Sequence, residues 1–241
     1  MQKVTKRSGN NWFRFEPQKE LILAVVSLLW MWFSYYTSEK VFADSMLYTI
    51  IVSILLTMIG VCIILPVWWV AIHKKEGIVG LGITTKNLGY ALLFAILLGG
   101  WRFLEIRQFV GNPNLLNSLL FNGLAIWEVM FIFGWLMTRY ERSFGKLPAI
   151  VLTAVSVGIY HIGTLTTENI LRLCLVICVC GICYMITENI FTLWPVYWPI
   201  GCSASTLRSG MSFPTELIVM SAIILMIQIL IIIIFAYRAK R

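Results

Sequence analysis

The sequence predicts an all-α fold: a polytopic transmembrane helical bundle of about eight spans with both termini in the cytoplasm. Three observations predict it. The chain has 241 residues, 59% of them hydrophobic and 12% charged, whereas a soluble domain carries about 25% charged residues. Its apolar residues form long runs, and a helix needs roughly 20 of them to cross the hydrocarbon core. Its Lys and Arg residues gather at the ends of alternate runs, the pattern that orients helices in a bilayer.

Taken in order, the expected spans are about 21–37, 47–72, 88–104, 115–138, 147–165, 170–187, 189–207 and 216–237. The second is long enough to tilt, and Pro66 is placed to bend it. The seventh, ENIFTLWPVYWPIGCSAS, carries Pro195 and Pro199 and reads as kinked or partly re-entrant, buried among its neighbours. The eighth, ELIVMSAIILMIQILIIIIFAY, is the most continuous. No cleavable signal sequence is evident, because the first apolar run is followed by aromatic and charged residues. The whole of 1–241 reads as a single integral membrane domain.

With the N-terminus inside, the cytosolic segments hold 14 Lys and Arg residues and the outer loops hold 3. That bias puts both termini in the cytoplasm and favours an even number of spans. Arg102 and Arg172 fall inside spans near outer ends, where long side chains snorkel to the interface. Trp30, Trp32, Trp68, Trp69, Trp101, Trp194 and Trp198 sit near span ends as interfacial anchors do. The segment HKKEGIVGLGITTKN, 73–87, is basic and mildly amphipathic, suited to the cytosolic headgroup surface. The net charge of +8 therefore belongs to membrane orientation; the partner is the lipid bilayer, with no nucleic acid. All six cysteines lie in apolar runs and read as packing residues.

Ionisable groups inside the membrane are functional candidates. Glu128 lies deep in span four and His161 in span five. Asn117 and Glu128 are eleven residues apart, close to three helical turns, so one continuous helix would put them on one face. A short loop joins spans four and five and makes them antiparallel neighbours, so Glu128 and His161 are expected to approach each other. Three readings of the pair stand open: a hydrogen-bonded lock between helices, acid–base or metal chemistry, and a proton or ion pathway. A small transporter would need more polar groups than the spans provide. His73, beside Lys74 and Lys75, is expected to be solvated, and Gln228 to hydrogen-bond between helices.

The order of these features resembles a known family. Glu128 followed by the aromatic stretch ending in Gly134, then FGKLPA, then a span ending in GIYH, resembles the CPBP intramembrane proteases. These are the CAAX prenyl endopeptidases and the bacteriocin-processing or immunity (Abi) proteins. The resemblance covers about 115–207, with LGITTKN at 81–87 also typical. The family pattern is EExxxR, then FxxxH, then a second histidine, often HxxxN. Anchored on Gly134, the first motif falls on Glu128, Val129 and Phe133, so only the first glutamate is kept. The second falls on Val157 and His161, so only the histidine is kept. The third falls on Ser203 and Leu207, and no histidine follows His161 anywhere in the chain.

The resemblance implies an intramembrane metallo- or glutamate-dependent endopeptidase that hydrolyses peptide bonds near the cytosolic membrane face. Its catalytic residues would be Glu128 and His161, its setting the bacterial plasma membrane, and its substrate or partner a peptide or membrane protein. Glu128 and His161 would be the ligands of any divalent metal such as zinc, with Asn122, Asn189 and Ser203 as supporting residues. Two protein ligands fall short of the three usual in catalytic zinc sites. The missing second Glu, Arg and second His imply the alternative: a catalytically weakened or inactive member, a pseudoenzyme acting as a bacteriocin-immunity or regulatory membrane scaffold.

Overall fold

The computed structural model describes residues 11–210 and 212–238. Lys3, Lys6, Arg7, Lys240 and Arg241, on which the orientation count partly rests, lie outside the described residues. Among the described residues there are nine helices and no strands. They are α1 Glu20–Lys40, α2 Met46–His73, α3 Leu88–Arg107, α4 Leu115–Leu124 and α5 Ile126–Phe144, then α6 Lys146–Tyr160, α7 Thr167–Thr187, α8 Tyr197–Arg208 and α9 Thr215–Arg238.

Five helices among the described residues are long and apolar enough to cross a membrane, or six if the bent pair α4–α5 is one span. Eight spans are expected from the sequence; the difference lies in α6 and α8. At 15 and 12 residues they reach roughly 22 and 18 Å, short of a hydrocarbon core of about 30 Å. The sequence makes 189–207 a kinked or partly re-entrant helix. In the structure Asn189 begins a single 3-10 turn, Ile190–Thr192, and the regular helix starts only at Tyr197. Proline cannot donate to a helix ladder, and Pro195 falls in the gap.

α5 is the axis of the bundle. From Val129 to Glu141 every residue is buried, and the first nine of them are apolar all round, as expected of a core helix. α1, α2, α6, α7 and α9 all pack against it. Gly134 explains one close approach: a Cβ there would collide with the Leu81 carbonyl, so a side chain would push the 81–82 turn off α5. Gly145, at φ +88°, ends α5 in a conformation that side chains rarely adopt and turns the chain into α6. α6 then runs back along α5 and packs on α7.

One end of the bundle is a charged face. Glu20, 4% exposed, is paired with Arg139 and with Lys74 at 2.6 Å. Arg142 closes a two-pronged pair with Glu76, both bonds 2.6 Å. The extended segment before α1 is tied to the same face, Arg14 N–H to the Phe144 carbonyl and Glu16 N–H to the Ser143 carbonyl. Arg139 was expected in a loop at 139–146; α5 continues through Phe144 and buries it instead. This face unites residues from three of the segments that the charge bias assigns to the cytosol, 1–20, 73–87 and 139–146.

Candidate functional site

The site begins with a break. α4 ends at Leu124, Ala125 leaves the helical region (φ −84°, ψ +43°), and α5 starts at Ile126 with a bend of 46°. A break inside a membrane frees carbonyls that need donors. Trp194 Nε1 donates to one of them, the Gly123 carbonyl, at 2.7 Å. The break also corrects the single polar face expected of span four. Asn117 and Glu128 belong to different helices, and Asn117 Nδ2 caps the Phe213 carbonyl at 3.0 Å.

The break puts Glu128 in the first turn of α5, where unpaired N–H groups favour an anion. Its Oε1 accepts from the Tyr160 hydroxyl at 3.3 Å and its Oε2 from Trp198 Nε1 at 3.1 Å. Charged acceptors make the stronger hydrogen bonds, and a carboxylate in a dry site needs them. Tyr160 is the last residue of α6, and Trp198 lies in the first turn of α8. Three helix ends therefore converge on one carboxylate.

His161 follows directly after α6. Its ring meets Tyr35 edge-on at 5.6 Å and lies 4.5 Å from the Tyr160 ring. Its Nδ1 is 3.5 Å from Thr164 Oγ1, which donates to the His161 carbonyl at 3.0 Å. Glu128 and His161 line one cavity of about 610 Å³. From the charged face, Glu128 stands roughly 24 Å up α5 and His161 roughly 22 Å up α6, so the two are level. Each keeps hydrogen-bonding partners of its own rather than forming a closed pair.

The supporting residues lie elsewhere. Asn122 and Ser203 are buried and meet each other, Nδ2 to Oγ at 3.2 Å. Asn189 is fully buried and donates to the carbonyls of Thr84 and Lys86 at 2.9 and 3.0 Å. It pins the 84–87 loop. None of the three lines the cavity.

Other residues do line it, and their expected roles were different. Trp198, expected to be an interfacial anchor, is 6% exposed and donates to Glu128. Arg102, expected to snorkel to the interface, is 7% exposed. It pairs with Glu105 at 2.6 Å, donates to the Tyr197 hydroxyl at 3.3 Å and stacks on the Trp101 ring at 3.8 Å. Gly201 makes room for it on α8, since a Cβ there would sit 3.1 Å from its Nε. Cys202 also lines the cavity. The one signal for Tyr160 was its place beside His161. Trp198 and Arg102 gave none, because their partners are distant in sequence.

The donors present decide whether a divalent metal fits. Among the described residues no group of three His, Cys, Asp or Glu side chains is placed to hold one. Both Glu128 oxygens already accept hydrogen bonds, and Asn122, Asn189 and Ser203 are turned to other partners. The donor set does not fit a catalytic zinc site of three protein ligands.

Residues 111–198 match the family model described as type II CAAX prenyl endopeptidase Rce1-like. The match contains Glu128, Tyr160, His161 and Trp198, and stops short of Ser203. No curated protein matches the chain. No solved structure matches it either. With its apolar helices the chain is an integral membrane protein, and its central stretch, α4 to the start of α8, is similar to the Rce1-like type II CAAX prenyl endopeptidases.

Proposed function

We propose that the chain is an intramembrane endopeptidase of the CAAX prenyl protease and Abi kind, working through Glu128 without a metal step and set in a bacterial plasma membrane. The observation that carries this reading is the shared cavity. A carboxylate and an imidazole at one level line a space large enough for a peptide segment and water. Glu128 would take a proton from water as the water oxygen attacks the scissile carbonyl, then pass that proton to the leaving amine. His161, or the Tyr160 hydroxyl, would hold the water or donate to the carbonyl oxygen as it gains charge. On this reading the chemistry would take place at the depth of Glu128, roughly 24 Å along α5 from the charged face.

The test is cleavage of prenylated and unmodified peptides by purified wild type, Glu128→Gln and His161→Ala in nanodiscs. The reading expects turnover in wild type and its loss in Glu128→Gln. Equal turnover in all three, or none in any, overturns it. A second reading, a non-catalytic scaffold of immunity or regulatory type, is favoured by one observation: Tyr160 and Trp198 already occupy both Glu128 oxygens. It expects Glu128→Gln to lower the unfolding temperature more than it lowers any phenotype.

A further inference from the structure

Residues 11–18, NWFRFEPQ, cross the charged face as an extended segment held by its main chain. Arg14 N–H donates to the Phe144 carbonyl at 3.0 Å and Glu16 N–H to the Ser143 carbonyl at 2.8 Å. In return Lys146 N–H donates to the Asn11 carbonyl at 3.3 Å and Leu147 N–H to the Trp12 carbonyl at 3.2 Å. The first two bonds satisfy carbonyls at the end of α5. The last two satisfy N–H groups in the first turn of α6, which no side chain caps. Gly145 makes room for the crossing, since a Cβ there would sit 2.8 Å from the Trp12 carbonyl oxygen. The segment is a strap across the α5–α6 turn.

The strap turns large aromatic side chains outward. Trp12 is 59% exposed, Phe13 69% and Phe15 80%; a cluster of rings this exposed calls for a cover. Its neighbour on α6 indicates which. Leu147, bonded to the Trp12 carbonyl, begins an exposed apolar stripe that continues through Val151 and Val155. In a membrane bundle such a stripe faces lipid, so the strap lies at its foot, at the level of the headgroups, where aromatic rings partition. The charge around the strap is positive. The described residues of 11–20, 73–87 and 139–146 hold eight Lys and Arg against four Glu, and Glu188 just past α7 makes five. Glu16 is taken by Arg14 at 2.7 Å, Glu20 by Arg139 and by Lys74 at 2.6 Å, and Glu76 by Arg142 at 2.6 Å. Glu141 is buried. Lys19 and Lys75 are exposed and pair with no carboxylate among the described residues.

We propose that the strap is a lipid-dependent clamp whose partner is the anionic phospholipid surface at the charged end of the bundle. Trp12, Phe13 and Phe15 seat at the boundary of headgroups and acyl chains, and Lys19 and Lys75 meet the phosphates. Ring burial supplies apolar contact, and each Lys near an anionic surface adds an attraction that salt weakens. Lipid contact thereby holds the strap on the turn, and the strap's main chain holds the end of α5 and the start of α6. The clamp is independent of catalysis and would operate equally in a chain that cleaves nothing.

The experiment places the full chain in nanodiscs of phosphatidylcholine alone and of phosphatidylcholine with phosphatidylglycerol, with the same acyl chains. Hydrogen exchange at the amides of Arg14, Glu16, Lys146 and Leu147, read by mass spectrometry, reports the clamp. Exchange there is expected to be about fivefold slower with phosphatidylglycerol at low salt, the scale of one basic residue at an anionic surface. The difference should shrink at high salt. Phe13→Ser combined with Phe15→Ser should remove it, with exchange inside α6 unchanged to show that the variant is folded. A photoreactive phenylalanine analogue at position 15 should cross-link to phospholipid. Equal exchange in the two lipids overturns the proposal, as does a serine variant that keeps the full lipid difference. Cross-linking to a second copy of the chain or to another protein in place of lipid also overturns it. If the serine variant unfolds, the wild-type lipid comparison and the cross-link decide.

Discussion

Glu128 survives in a greasy environment because the fold brings it donors. The first turn of α5, the Tyr160 hydroxyl and the Trp198 indole all direct partial positive charge at it. The sequence marks Glu128 and His161 as the polar groups to watch, since few others lie within apolar runs. It gives no hint of Trp198, seventy residues away, nor that Asn122 and Ser203 would satisfy each other. Glu128→Gln is expected to cut peptide cleavage by about 10²–10⁴-fold, the usual worth of a general base, with an unfolding temperature close to wild type. Trp198→Phe keeps the ring packing and removes one donor. Cleavage should fall by about fivefold to tenfold, near the 1 kcal/mol of a single hydrogen bond. A Trp198→Phe variant with wild-type kinetics would show that the indole only fills space.

At the scale of elements, local rules explain where helices stop, and long-range contacts explain what the stops are for. Ser45 and Thr166 cap the starts of α2 and α7 by accepting from Tyr48 N–H and Asn169 N–H, as their residue types suggest. Gly145 turns α5 into α6. The break at Ala125 has a weaker signature, Gly123 two residues before it, and Trp194 serves the freed Gly123 carbonyl from seventy-one residues away. The eight-span count took α6 and α8 for full spans for a similar reason. Hydropathy measures apolar length, whereas these helices end where Tyr160 and Trp198 must reach Glu128. Two substitutions test the packing of the 81–87 turn. Gly134→Ala should cost about 1–3 kcal/mol through collision with the Leu81 carbonyl. Asn189→Ala should cost a similar amount, roughly 1–3 kcal/mol, by stripping donors from the Thr84 and Lys86 carbonyls. Thermal unfolding in detergent reads both; no change in either would mean that the turn is held by other contacts.

At the scale of the molecule, the bundle has a charged end and a cavity-bearing end. Glu20 and Arg139 tie α1 to α5 at the charged end, deep enough that neither is more than 4% exposed. Removing one partner of a buried pair strands the other, so Arg139→Met should destabilise the chain by about 3–5 kcal/mol. The double variant Glu20→Gln with Arg139→Met should recover most of that loss, and failure to recover would place the stabilisation in Arg139 packing instead. The sequence by itself determined the solvent: composition and apolar run length require lipid around an all-α chain, and the clustering of Lys and Arg requires one basic face. It also determined which carboxylate and which imidazole lie among apolar residues. Only the tertiary structure decided that they share a cavity, and that the two expected supporting asparagines and the serine serve the scaffold. Burial and charge sum along a chain and can be read from it. Convergence of three helix ends on one carboxylate depends on contacts between residues tens of positions apart, which no local pattern encodes.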